Sequence, residues 1–264
     1  MINWRDEEIL VLAKAYPTPS TKYGETACAA GVTRSGEWIR LYPITFRDLP
    51  FDKRYEKFQW IKARITPAKE KLSRPESYKV DLDSIRLLEK IPSGKGWNER
   101  NKYIQPILNR SLEEILDMQK NKNKSLGMFK PEKVIELRIE AVVSGWDRKQ
   151  KARLGQENMF GKTKTLLEKI PYSFHYKFIC NSISCKTHDL TIVDWDINQT
   201  YRHFKETYKT EKLIREKLRD KWFNYFFNRR ESYLVVGTDS SFGKFMILTV
   251  ISPKRKDPQL GLFS

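Results

Sequence analysis

Residues 8–17 read Glu-Ile-Leu-Val-Leu-Ala-Lys-Ala-Tyr-Pro, an apolar run closed by a proline. A run this short, ended by a residue that cannot donate to a β-ladder, reads as a buried strand rather than a helix. The stretch after it, TACAAGVTRSGEWIRLYP (26–43), reads as a hairpin turning at Arg34-Ser35-Gly36. In the second arm Trp38, Arg40 and Tyr42 alternate with Ile39 and Leu41, so Trp38 and Tyr42 share a face, either as a stacking platform or as core. QWIKARITP (59–67) and YKVDLDSIRLL (78–88) read as two more strands. Short strands separated by Pro and Gly predict a β-barrel-like or curved antiparallel sheet over residues 1–92.

The pattern then changes. NERNKYIQPILNRSLEEILDMQK (98–120) has helical spacing, and Ser111 with Glu114 forms a capping box that opens a second helix. Residues 93–130 are therefore expected to be a helical connection, with KNKNKSLGMFKPEK (120–133) as a loop. A mixed α+β part is predicted over 131–252. Strands are expected in VIELRIEAVVSGW, YSFHYKFIC and DLTIVDW, and a helix in TEKLIREKLRDKWFNYFFNRR capped by Thr210. ESYLVVGTDSSFGKFMILTVIS (231–252) reads as a hairpin, and residues 253–264 as a flexible tail. DRKQKARLGQENMFGKTK (147–164) is polar, aperiodic and basic, and is expected to be a mobile loop. The fold class is α+β.

Charge narrows the function. The 264 residues hold 50 Lys and Arg against 33 Asp and Glu, a net charge of +17 with a pI near 9.7 and a mean hydropathy of -0.64. Such an excess costs self-repulsion and concentrates polyanions at the surface, so nucleic acid is the first partner to consider. The basic stretch offers Arg148, Lys149, Lys151, Arg153, Lys162 and Lys164, interleaved with Phe160 as a stacking ring. Lys212, Arg215, Lys217, Arg219 and Lys221 on the predicted C-terminal helix form a second basic set, whose alternative is an ordinary solvated face. No run approaches the roughly 18 apolar residues of a membrane span. Acidic residues stand where a secretory leader would carry bases, so a cytoplasmic, nucleoid-associated protein is expected.

Two constellations carry possible chemistry. Cys180, Cys185 and His188 lie at gaps that suit zinc held by a hairpin turn, with His175, His203 or Cys28 as a fourth ligand brought in by the fold. The alternative is two cysteines acting as small hydrophobes. Asp194 and Asp196 are candidate catalytic carboxylates for Mg2+ in a nuclease. Read without chemistry, Asp196 is a helix N-cap and Asp194 a turn residue. GKT at 161–163 lacks the spacing of a P-loop.

The last residues are Gln259-Leu260-Gly261-Leu262-Phe263 before Ser264, behind a basic, proline-containing spacer. This pentapeptide resembles the bacterial sliding-clamp-binding motif, over residues 259–263 only. The resemblance implies that Gln259 makes polar contacts at the rim of the clamp pocket. Leu260 and the Leu262-Phe263 pair would fill two apolar subsites, with Gly261 in the free position. Three apolar side chains supply about 5–9 kcal/mol before ordering costs, a micromolar or weaker contact suited to an exchanging tether. The combined expectation is a DNA-binding protein recruited by the clamp in replication, repair or genome defence. Its alternatives are a metal-dependent nuclease and an RNA-binding module whose tail packs on its own core.

Overall fold

The computed structural model describes residues 3–68, 74–94, 97–143, 145–154, 166–239 and 243–254. Seven strands make the first lobe: β1 (Arg5–Lys14), β2 (Thr18–Ser20), β3 (Gly24–Thr33), β4 (Trp38–Ile44), β5 (Gln59–Pro67), β6 (Ser77–Val80) and β7 (Arg86–Lys90). Five of them close a barrel in the order β1-β3-β4-β6-β5 and back to β1, with β4 and β6 parallel and the other pairs antiparallel. β2 extends β3, and β7 extends β5. The expected barrel and the α+β class are what the chain adopts.

Alternation explains why β1 is apolar throughout. Ile9 and Val11 point into the barrel with Ile39, Leu41, Ile61 and Ile65. Leu10 and Leu12 face outward, yet they are buried in a second core shared with the other lobe. A strand covered on both faces has no polar side to show in its sequence.

A helix α1 (Asn98–Ile104) closes the first lobe, and the second runs through β8 (Leu108–Asn109), α2 (Leu112–Lys122), β9 (Leu126–Phe129) and β10 (Lys133–Ala141). After these come α3 (Arg148–Leu154), β11 (Tyr172–Ile179), β12 (His188–Ile192), α4 (Trp195–Thr207), α5 (Glu211–Arg219), β13 (Tyr233–Thr238) and β14 (Phe245–Ile251). A π-wound segment, Asp220–Asn228, prolongs α5. The sheet order is β10-β11-β12-β14-β13-β9-β8, with parallel pairs at β12–β14 and β8–β9. On one face Leu234, Val236, Ile247 and Phe178 meet α2, α4 and α5. On the other, Tyr233, Val235, Leu248 and Met128 meet the barrel and α1. The molecule is thus layered: helices, sheet, barrel.

The capping predictions hold. Ser111 accepts from the Glu114 N–H, Glu114 reaches back to the Arg110 N–H at 2.8 Å, and Thr210 caps α5. Three readings are corrected. YKVDLDSIRLL is two strands, because Asp81 accepts from the Asp83 N–H and turns the chain between β6 and β7. The expected loop at 120–133 contains β9, all four residues of it buried. Gly127 allows this: a Cβ there would stand 2.6 Å from Ile115 Cδ1, so α2 and β9 approach as closely as they do only over glycine. Within the expected mobile loop, residues 148–154 are helical. Asp147 Oδ1 accepts from the Gln150 N–H at 2.7 Å, and Gln150 Oε1 from the Asp147 N–H at 3.0 Å, a reciprocal cap.

A buried polar seam joins the lobes. The Arg40 guanidinium, on the outer face of β4, donates to the Thr238 carbonyl at 2.6 Å and to Ser125 Oγ at 2.8 Å. Glu76 Oε1 accepts from the Ser125 N–H at 2.6 Å.

Candidate functional site

Short helix α3 lies against β2 and β3, and the Arg153 carbonyl would stand 3.5 Å from a Cβ placed on Gly24. Arg148, Lys149 and Lys151 are exposed, and they have no acidic partner among the described residues; Arg153 is half-buried. Around them stand exposed Lys22 and Tyr23 at the β2–β3 turn. Trp146 adds a ring whose Nε1 donates to the Leu167 carbonyl at 2.6 Å, with the Lys169 ammonium 5.6 Å from the ring centre. Sequence reasoning found the four cations but not Trp146 directly before them, nor Lys22, Tyr23 and Lys169, which the fold brings up from other segments. Lys162, Lys164 and Phe160 lie outside the described residues.

The α5 cations are more compensated. Lys217 faces Asp220 at 3.7 Å, and the Arg215 guanidinium lies 6.0 Å from the Tyr172 ring centre. Lys212 and Arg219 are exposed, and Lys221 donates to Thr200 Oγ1 at 3.3 Å. This face of α5 mixes signs, whereas the outward face of α3 does not.

Five-stranded Greek-key barrels include the OB-fold, which binds oligonucleotides on the face of its second and third strands. Here the corresponding strands are β3 and β4, and their outer face is covered. Ala30 and Val32 are in the shared core, Trp38 packs against it, and Arg40 is locked to Ser125 and Thr238. Tyr42 remains exposed. The Trp38–Tyr42 platform is therefore interrupted: one ring is half-buried in the seam and the other stands outside it.

Asp194 and Asp196 come together, though not as two open carboxylates. Asp194 is fully buried and is itself the N-cap of α4, accepting from the Asp196 N–H at 2.8 Å, which corrects the expectation that Asp196 was the cap. Thr249 Oγ1 donates to Asp194 Oδ2 at 2.6 Å. Lys57, from the barrel side, reaches Asp194 Oδ2 at 3.2 Å and Asp196 Oδ2 at 2.7 Å. Burial raises the Asp194 carboxyl above its ordinary value, and Lys57 opposes this. Burial works against the Lys57 ammonium, but Asp194 and Asp196 outweigh it and hold it above its ordinary value. The positive charge a divalent cation would bring is already supplied by Lys57. A 390 Å3 pocket opens beside it, lined by Lys57, Asp196, His203 and Lys221 over Trp222 and Phe226.

Lys14 sits nearby in an aromatic cage. Its Nζ is 4.1 Å from the Phe46 ring centre, 5.4 Å from Trp195 and 5.9 Å from Tyr55, and it donates to the Tyr55 carbonyl at 3.2 Å. Burial lowers this ammonium to about 8, against the pull of Asp196.

The Cys–His reading acquires a fourth member. The ligand atoms of Glu113, Cys180, Cys185 and His188 all lie within 4.8 Å of one another. Glu113 is the second residue of α2, whose start is fixed by the Ser111 cap. Cys180 follows β11, Cys185 is in the connector, and His188 opens β12. His188 Nε2 is 2.7 Å from Glu113 Oε1. Neither His175 nor His203 joins: His175 Nε2 is bonded to Ser173 Oγ at 2.8 Å, and His203 lines the pocket beside Lys57. Cys28 is on β3 in the barrel and is also absent from the group. No spacing rule links Glu113 to the cysteines, so only the fold reveals it.

The tail motif, Gln259, Leu260, Leu262 and Phe263, lies outside the described residues. No helix among the described residues is long and apolar enough to cross a membrane.

Comparison with known proteins follows the two lobes. Residues 109–264 match the family model described as "Domain of unknown function (DUF8757)", and the chain belongs to that family. Residues 5–106 match the model described as "Domain of unknown function (DUF8758)". No curated protein matches. Among solved structures, a mouse protein described as "Structure of murine DNA binding protein bound with ds DNA" is similar at 12% identity and a TM-score of 0.32, over 96% of this chain and 97% of that one.

Proposed function

We propose that this DUF8757 protein binds nucleic acid, DNA in preference to RNA, along the α3 ridge, and that its C-terminus tethers it to a bacterial sliding clamp. The observation that carries the first half is the row Arg148, Lys149 and Lys151, exposed and without acidic partners among the described residues, on a chain of net charge +17. Unpaired surface cations are what phosphate contacts need, because each one displaces condensed counterions on binding. Tyr23 and Trp146 beside the ridge offer ring faces for a splayed base. With the outer face of β3 and β4 covered by the second lobe, the ridge is the more accessible basic surface of the barrel side.

The tether rests on Gln259, Leu260, Leu262 and Phe263 and on their likeness to the clamp-binding motif. A weak clamp contact in series with a weak phosphate contact gives avidity without new chemistry. Such a protein would work on DNA in the cytoplasm, in replication, repair or genome defence.

The test is an anisotropy titration of labelled duplex across a salt series. Replacing Arg148, Lys149 and Lys151 together by Ala is expected to flatten the salt slope by about 2–3 and to weaken binding for any sequence. An unchanged slope would reject the ridge. Separately, a chain ending at Pro258, or one with Leu262 and Phe263 replaced by Ala, is expected to lose clamp binding while keeping its DNA affinity. Retained clamp binding would reject the tether alone.

A further inference from the structure

We infer that Glu113, Cys180, Cys185 and His188 form a structural zinc site that fastens the β11–β12 connector to the start of α2. The donor set suits the metal: two thiolates, an imidazole and a carboxylate are ligands zinc takes in four-coordinate sites. The spacing suits it too. With zinc–sulfur bonds of about 2.3 Å and zinc–nitrogen or –oxygen bonds of about 2.0–2.2 Å, the edges of the tetrahedron are roughly 3.3–3.8 Å. Ligand atoms that already lie within 4.8 Å of one another need to move by no more than about an ångström to reach it.

Three further features favour a cation over a purely hydrogen-bonded cluster. Glu113 Oε2 is buried and makes no well-formed hydrogen bond, although Ser111, Cys180 and Cys185 all stand beside the carboxylate. Cys185 Sγ accepts from the Cys180 N–H at 3.0 Å and lies 3.1 Å from the Lys186 carbonyl. A backbone N–H directed at sulfur is a bond that a metal-bound thiolate keeps. Finally, the chain has only three cysteines and three histidines, and two cysteines and one histidine meet here from separate elements.

Four protein ligands close the coordination shell, which marks a structural rather than a catalytic zinc. The metal would join α2 to the end of β11 and the start of β12, which no disulfide links: all three cysteines are free. This inference stands apart from the nucleic-acid proposal, since none of its ligands is on the α3 ridge.

The experiment uses full-length protein purified under reducing conditions with zinc supplied, and reads metal by inductively coupled plasma mass spectrometry. About one zinc per chain is expected, released when the thiols are modified. Cobalt exchanged into the site is expected to show tetrahedral ligand-field bands and thiolate charge transfer. Glu113→Gln is expected to weaken zinc binding by ~10-fold or more with the circular dichroism spectrum intact, while His175→Ala leaves it unchanged. Less than about a tenth of an equivalent of zinc would overturn the inference. So would full retention of zinc in the Cys180→Ser/Cys185→Ser variant, or a Cys180–Cys185 disulfide in place of reactive thiols.

Discussion

Replacing Lys57 by Met is the sharpest probe of the seam between the lobes. Lys57 keeps its methylene stem packed in either form, but its ammonium holds Asp194 at 3.2 Å and Asp196 at 2.7 Å. Without it, Asp194 is a fully buried carboxylate with two remaining donors, Thr249 Oγ1 at 2.6 Å and the Asp196 N–H at 2.8 Å. Breaking one side of a buried pair costs about 3–5 kcal/mol, mostly as the uncompensated charge left behind. The loss has a definite pH dependence. Burial puts the folded-state Asp194 above its unfolded value, so the unfolded chain gives up that proton first as pH rises. The penalty is therefore absent below about pH 4, appears as the unfolded carboxyl ionises and grows with pH until the folded one ionises too. Urea unfolding of Lys57→Met and its parent at several pH values measures it. Adding Asp194→Asn to Lys57→Met is expected to recover most of the loss. A deficit equal at pH 4 and pH 7, or no recovery in the double variant, would refute the reasoning.

Other outcomes follow from neighbouring features. Lys14→Met is expected to stabilise the protein at pH 7, by up to about 3 kcal/mol for an ammonium lowered from 10.5 to about 8, less what the surrounding rings return. Because that value is depressed on folding, the cost of Lys14 is full below pH 8 and fades towards pH 10.5, so the two chains should converge in alkaline melts. Gly127→Ala forces a Cβ against Ile115 and Asn109 Oδ1 and should cost about 1–3 kcal/mol by urea unfolding, and less than that when measured in an Ile115→Ala background. Ser111→Ala removes the acceptor at the start of α2 and should cost about 1 kcal/mol in the same assay.

Local chemistry was readable in the sequence and long-range pairing was not. β1, the β3–β4 hairpin and the caps at Ser111 and Thr210 each announce themselves within ten residues or so, by alternation or by one polar side chain at a fixed offset. Asp147 and Gln150 carry the same signal for α3, which the surrounding polarity masked. β9 was hidden because Gly127 weakens its strand propensity while serving the contact with α2. Barrel closure, the parallel β12–β14 pair and the docking of lobes depend on residues far apart in the chain. Lys57 meets Asp194 across 137 positions, and Glu113 joins the cysteines only once α2 packs beside the connector. Such partners leave no periodic trace. The site candidates were thus half legible: the charged and thiol residues themselves, but not what neutralises or completes them.

The covered outer face of β3 and β4 bears on how this chain can be divided. Ala30, Val32, Leu10 and Leu12 form a greasy wall on one half whose lid is the other half, and Arg40 is a bolt through both. Cutting near residue 107, where the two family models part company, would bare that wall to water and strand a guanidinium without its acceptors. Each fragment made alone should therefore clump, and mixing the two should restore a tractable protein, which makes the chain a candidate for split-and-complement reporters rather than for modular exchange.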